Sequence, residues 1–147
     1  MNKKILIADD DINIIASLKF ILAEEGFDIV AVTTPQAALE NIKAQVVDLV
    51  LLDMNFQDDT TSGAEGVQLV ESIEQLGLDI PIIVMTGWAT IDIAVEAMQA
   101  GAKDFIQKPW KNERIINAIN TQLTLAKSAK TAQRLSQQNK LLTTQAH

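Results

Sequence analysis

Five short apolar runs, spaced along the chain and mostly cut off by polar or charged residues, constrain this sequence more than any other feature. Ile5 to Ala8 stops at Asp9-Asp10-Asp11, Val46 to Leu52 stops at Asp53, and Pro81 to Met85 stops at Thr86-Gly87. Asp28 to Val32 follows Gly26, and the shorter run Asp104 to Ile106 stops near Lys108-Pro109. Runs that are apolar on every side suit strands buried on both faces, the pattern of a parallel sheet. Helical periodicities fill the gaps. Ile12, Ile15, Leu18 and Leu22 recur at helical spacing, and Gly26 is placed to close that helix. Thr34-Pro35 reads as the cap and first turn of a second helix, with Ala38, Leu39 and Ile42 inward. A third helix is expected from about Glu65 to Leu76, with Val67, Leu69, Val70 and Ile73 inward and Gly77 as its stop. A fourth starts after Thr90 and ends at Gly101, and a fifth starts after Trp110. Five βα units in succession predict an α/β domain, a doubly wound five-stranded parallel sheet with an extended C-terminal helix.

No Gly or Pro interrupts Lys111 to His147, so one helix can pass through the whole segment. From about Leu123 the composition turns to Gln, Ser, Thr, Lys and Ala, which divides the chain into a globular domain at 1–122 and a helical linker at 123–147. Leu125, Ala132 and Asn139 share one heptad position, and Ser128, Leu135 and Leu142 share another. Asn at a with Leu at d is the pattern of a parallel two-stranded coiled coil. A frayed polar tail is an equal reading of the same residues.

Composition removes several chemistries. The 147 residues include no cysteine, so thiolate metal sites and disulfides are absent, and the one histidine is His147. Ser-His and Cys-His catalysis and most zinc chemistry go with them. The formal charge of -7 implies a surface that repels nucleic acid, so no direct DNA binding is expected of this chain. The apolar run after Met1-Asn2-Lys3-Lys4 is too short for a signal-peptide core, and no transmembrane stretch follows. A cytoplasmic location, away from the membrane, is the expectation.

Ligands of open α/β sheets bind beyond the carboxyl ends of the strands. Those ends carry Asp9-Asp10-Asp11, Asp53, Thr86-Gly87 and Lys108-Pro109, so several carboxylates, a hydroxyl and an ammonium should share one rim. Crowded carboxylates are penalised unless a cation joins them, and Mg²⁺ suits one or two carboxylates plus water and a phosphate. Asp53 would then be a nucleophile toward phosphorus, with Lys108 and Thr86 on the phosphoryl oxygens. Taken singly, each residue has a plainer explanation: Asp11 as a helix cap, Thr86-Gly87 as a turn, Lys108 as a solvated lysine. Their joint placement at four strand ends favours the chemistry.

The motifs ILIADDD, VDLVLLDMN, PIIVMTG and GAKDFIQKPW resemble the receiver domain of bacterial response regulators, the CheY-like family, over roughly Lys3 to Gln122. The segment from Thr86 to Trp110, followed by Asn112-Glu113-Arg114, is most similar to receivers of NtrC-type transcriptional activators. The resemblance implies a flavodoxin-like (βα)5 fold and a two-component phosphorelay. In that reading Asp53 accepts a phosphoryl group from a sensor histidine kinase. Asp10 binds Mg²⁺ directly, Asp9 does so through water, and the Asn55 backbone carbonyl supplies a third protein ligand. Thr86 and Lys108 contact the phosphoryl group, the Lys108-Pro109 bond is cis, and Thr86 and Phe105 form the conformational switch. A plain edge aromatic is the simpler account of Phe105. The acidic pair is read as Asp9-Asp10, with Asp10-Asp11 as the alternative register. The implied output is a conformational or dimerisation change, with a homodimer through the C-terminal helix and control of transcription by domains outside this sequence. Such a chain is a signalling domain rather than an enzyme.

The segment Asn55 to Glu65 departs from the family. It lacks the proline that commonly follows the acceptor and has several extra polar and acidic residues. Neutral loop drift explains it most simply; contact with the kinase, or a cover over Asp53, is the sharper alternative. Trp88 is expected near the rim, where it would slow attack of water on the acyl phosphate. Three rivals are weaker. A haloacid-dehalogenase-type phosphatase needs a second Asp where Asn55 stands. A phosphorylation-independent interaction module would leave the acids, Thr86 and Lys108 unexplained. A flavin domain would not place Asp9-Asp10-Asp11 in its phosphate loop.

Overall fold

A computed structural model of the chain describes residues 2–54, 64–87 and 91–145, with side chains described for all of these except 64 and 130–145. Five strands alternate with five helices: β1 (Lys4–Ala8), α1 (Ile12–Glu24), β2 (Asp28–Val32), α2 (Pro35–Ala44), β3 (Leu49–Asp53), α3 (Ala64–Gln75), β4 (Ile82–Thr86), α4 (Ile91–Ala100), β5 (Asp104–Gln107) and α5 (Asn112–Gln145). The strands form one sheet in the order β2-β1-β3-β4-β5, and every pairing is parallel. This is the doubly wound arrangement that the alternation of runs predicts.

The two-residue period of a strand explains why the runs are apolar throughout. Leu6, Ala8, Val50, Leu52, Ile82 and Val84 point to one face, where they pack with Ala38 and Ile42 of α2, Leu69, Val70 and Ile73 of α3, and Ala97 of α4. Ile5, Ile7, Leu49, Leu51, Ile83 and Met85 point to the other, against Ile15, Leu18 and Leu22 of α1 and Ile115, Ala118 and Ile119 of α5. Each central strand is thus buried from both sides, which an alternating polar pattern would not permit.

Local signals set the helix ends. Asp11 caps α1 by accepting from the N–H groups of Asn13 at 2.9 Å and Ile14 at 3.4 Å. Thr34 caps α2 through the Ala37 N–H, with Pro35 in the first turn. Gly26, at φ +86°, takes the left-handed conformation just past α1 that a side chain resists.

Two readings of the sequence shift. The run Val46 to Leu52 enters its strand only at Leu49, and Val46 is 78% exposed on the surface before it. Ile12 fits the helical spacing but is 75% exposed, because it opens α1 beyond the reach of the sheet. As the absence of Gly and Pro predicts, the fifth helix runs unbroken through residue 123, and Leu123 packs against the second face of the sheet. Of the proposed heptad seam, Leu125 is exposed, Ser128 is exposed, and the side chains from Ala132 onward lie outside those described.

Candidate functional site

The carboxyl edge of the sheet gathers side chains that are far apart in sequence. Asp9 follows β1, Asp53 ends β3, Thr86 ends β4, and Lys108 follows β5. The parallel register aligns these ends: Ala8 pairs with Leu52, Asp53 with Met85, and Thr86 with Gln107. Backbone bonds extend the alignment past the strands, since the Met54 N–H donates to the Met85 carbonyl at 3.0 Å and the Lys108 N–H to the Thr86 carbonyl at 2.7 Å. The Lys108-Pro109 peptide bond is cis.

Carboxylate oxygens of Asp9, Asp10 and Asp53 all lie within 4.8 Å of one another. Asp9 and Asp53 are buried, and Asp10 is half-buried. Lys108 reaches in from the end of β5, two strands over from Asp53: its Nζ donates to Asp53 Oδ1 at 2.9 Å and stands 3.6 Å from Asp9 Oδ2. Asp9 Oδ1 accepts from the Asp11 N–H at 2.9 Å, while Asp9 Oδ2 and the hydroxyl of the buried Thr86 have no hydrogen-bond partner among the described residues. Unsatisfied polar atoms at full burial are rare, and two in one pocket mark a place built to receive something.

The electrostatics agree. Burial pushes the Asp9 carboxyl up to about 6; the Asp11 N–H opposes the rise, the charge of Asp53 adds to it, Lys108 opposes it, and Asp10 adds to it. One ammonium, Lys108 beside Asp53 and Asp9, stands against a cluster of three acids, an excess of negative charge that a hard cation would neutralise with oxygen ligands. The donor set and the open acceptor on Asp9 fit such an ion.

The triplet of aspartates divides its work in space. Asp11 spends its side chain on the helix cap, and Asp9 and Asp10 join Asp53 in the cluster. Phe105 lies on the edge strand β5, opposite Val84, and is 36% exposed. Asn55, the insert from 56 to 63, and Trp88 lie outside the described residues. Met54 is the residue that sequence reasoning passed over. It is fully buried directly after Asp53, and it packs against Gly66. Its apolar side chain beside an acidic strand end was the available signal.

With this geometry in place, the comparison with known proteins is direct. The chain belongs to the response regulator receiver domain family, whose model matches residues 5–120. It is similar to the transcriptional regulatory protein ZraR of Escherichia coli K12, 32% identical over 127 residues that span 86% of this chain and 26% of that protein. Among solved structures it resembles NtrX from Brucella abortus, with a TM-score of 0.83 and 30% identity over 92% of this chain and 30% of that one. It also resembles a CheY-like receiver domain protein from Methanospirillum hungatei, with a TM-score of 0.79 and 30% identity over 88% of this chain and 99% of that one. The chain thus spans about a quarter of ZraR and most of an isolated receiver.

Proposed function

We propose that the chain accepts a phosphoryl group on Asp53 from the phosphohistidine of a sensor histidine kinase and passes the signal on through its fourth and fifth helices. The observation that carries this reading is the buried Asp53 carboxylate, 2.9 Å from the Lys108 ammonium and grouped with Asp9 and Asp10. Family membership supports it independently.

The residues divide the chemistry. A carboxylate oxygen of Asp53 attacks phosphorus, the P–N bond to the donor imidazole breaks, and an acyl phosphate forms. Lys108 lies where it can pair with the incoming phosphoryl oxygens, and the hydroxyl of Thr86 can donate to one of them. Asp9, Asp10 and Asp53, with the Asn55 carbonyl by family resemblance, would hold Mg²⁺. When bound, that ion offsets the negative charge of both the acids and the transferring group. Phosphoryl transfer depends on such positioning and charge balance more than on covalent assistance.

Output is assigned to the side of the domain nearest Thr86 and Lys108. Drawing the Thr86 hydroxyl and Lys108 toward a phosphoryl group pulls on the loops that follow β4 and β5. Ile91, Val95 and Met98 form an exposed apolar strip along α4, with exposed Phe105 on the adjoining strand. Such a strip suits a surface whose partner changes with state. A phosphorylation-sensitive homodimer through α5, in a cytoplasmic transcriptional regulator that leaves DNA contact to other domains, completes the proposal; similarity to ZraR and NtrX supports it. Among the described residues no helix is long and apolar enough to cross a membrane.

The decisive test is incubation with Mg²⁺ and acetyl phosphate, read by intact mass. Wild type gains one phosphoryl group and Asp53→Asn gains none. Wild type that stays unmodified, under conditions where a control receiver is modified, refutes the assignment and leaves the phosphorylation-independent interaction module.

A further inference from the structure

Building on the phosphoacceptor reading, we propose that Gly66 is a positioning residue for Asp53 and acts through Met54. Met54 carries the peptide that leaves the acceptor. Its N–H is tied to the Met85 carbonyl, which fixes that peptide to β4 on one side. On the other side it lies against α3. A Cβ built on Gly66 would stand 2.9 Å from both Cε and Sδ of Met54 and 3.2 Å from its Cα. At the first distance the end of the Met54 side chain must shift, and the second presses on backbone.

Room, not torsion, explains this glycine. Gly66 sits within α3, and its φ is not among the positive values found at Gly26, Gly77 and Gly101. Glycine is unfavourable inside a helix, so nothing local recommends it there. Gly26 and Gly77 show the opposite case, with left-handed torsions and open space around the missing Cβ.

A displaced Met54 has no easy exit. Its side chain is fully buried in the cluster that includes Leu52, Leu69, Val70 and Val84. Close-packed interiors absorb added atoms by shifting backbone or straining rotamers. Pressure on the Met54 main chain carries that shift to its neighbour Asp53, whose 2.9 Å bond to Lys108 depends on position. The packing of Met54 on Gly66 also clamps together the two ends of the long connection between β3 and α3. The acceptor's neighbour is thereby held against α3 at Gly66.

The test is a double-mutant cycle on the full chain, with Gly66→Ala, Met54→Ala and the pair. The readouts are the initial rate of modification by acetyl phosphate with saturating Mg²⁺, and thermal stability. Misplacement by a fraction of an ångström should slow Gly66→Ala by about tenfold at temperatures where it is fully folded. Clearing the Met54 side chain should relieve most of the conflict, so the pair should react within about threefold of Met54→Ala alone, a non-additive result. Gly66→Ala reacting at the wild-type rate while only its melting temperature falls would overturn the proposal, as would strictly additive losses. If Gly66→Ala does not fold, the comparison of Met54→Ala with the pair decides. Rates within about threefold support the clamp, and a further loss of about tenfold overturns it. Phosphorylation of the wild type keeps the acceptor reading intact whichever way the cycle falls.

Discussion

The two edges of the sheet handle charge in opposite ways. At the amino edge Asp48 accepts from the Lys4 N–H at 2.8 Å and returns its own N–H to the Lys4 carbonyl at 2.9 Å. The Lys4 ammonium donates to Gln45 Oε1 at 2.7 Å, and Lys3 stands 4.0 Å from Asp48. These groups are partly exposed and have partners. At the carboxyl edge three acids cluster, two of them beside Lys108, and Asp9 Oδ2 and the Thr86 hydroxyl are buried with no hydrogen-bond partner among the described residues. One edge fastens strands to each other. The other holds polar groups in an unfavourable setting that a ligand would relieve, as sites under functional constraint commonly do.

Experiments can break this contrast or sharpen it. The largest effect should come from Lys108→Ala, which removes the ammonium paired with Asp53 and should slow modification by acetyl phosphate about 100-fold. A time course by intact mass measures it, and a rate near wild type would remove Lys108 from the chemistry.

Next comes Asp9→Asn. The Asp9 pKa is about 6 in the folded protein against 3.8 for the unconstrained group, so the folded state binds this proton more tightly than the unfolded state. Stability is therefore free of penalty below about pH 3.8, falls as pH rises to about 6, and stays reduced above it. Without Mg²⁺ at about pH 7.5 the substitution should stabilise the fold by roughly 2–3 kcal/mol, and the gain should shrink toward zero near pH 4. Urea titrations at both pH values test the sign. Destabilisation at the higher pH would mean that the carboxyl edge is not held at a cost.

The same proton competes with metal. Mg²⁺ affinity, followed by isothermal titration calorimetry, should weaken as pH drops below about 6, by up to about tenfold per unit. An affinity flat from about pH 7 to 5 would separate Asp9 from the ion. The smallest effect belongs to the amino edge. Asp48→Ala should cost about 1 kcal/mol by leaving the Lys4 N–H without its acceptor, with the modification rate within about twofold of wild type. A large loss of modification there would show that the two edges are coupled.

Much of this was legible in the sequence, and the places where it was not are instructive. The runs Ile5 to Ala8 and Pro81 to Met85 mark strands closely, because burial on both faces admits few polar residues. Val46 misleads because an apolar residue just before a strand looks like the strand itself, while its 78% exposure is a tertiary fact. Ile12 misleads in the same way at the start of a helix. The strand ends Asp53, Thr86 and Lys108 were recognisable as candidates because the carboxyl edge of a parallel sheet is where loops converge. Nothing in the sequence singled out Gly66, since its neighbour Met54 is distant along the chain and no periodicity links them.

The order of polar and apolar residues alone determined the five βα units, the parallel sheet and the residue types at its rim, because periodicity and burial act along the chain within a few residues. Tertiary structure decided which aspartate caps a helix and which faces the pocket, how far Lys108 stands from Asp53, and what a side chain at position 66 would strike. Those are distances between segments brought together by sheet order, and sheet order is settled by packing the whole core at once.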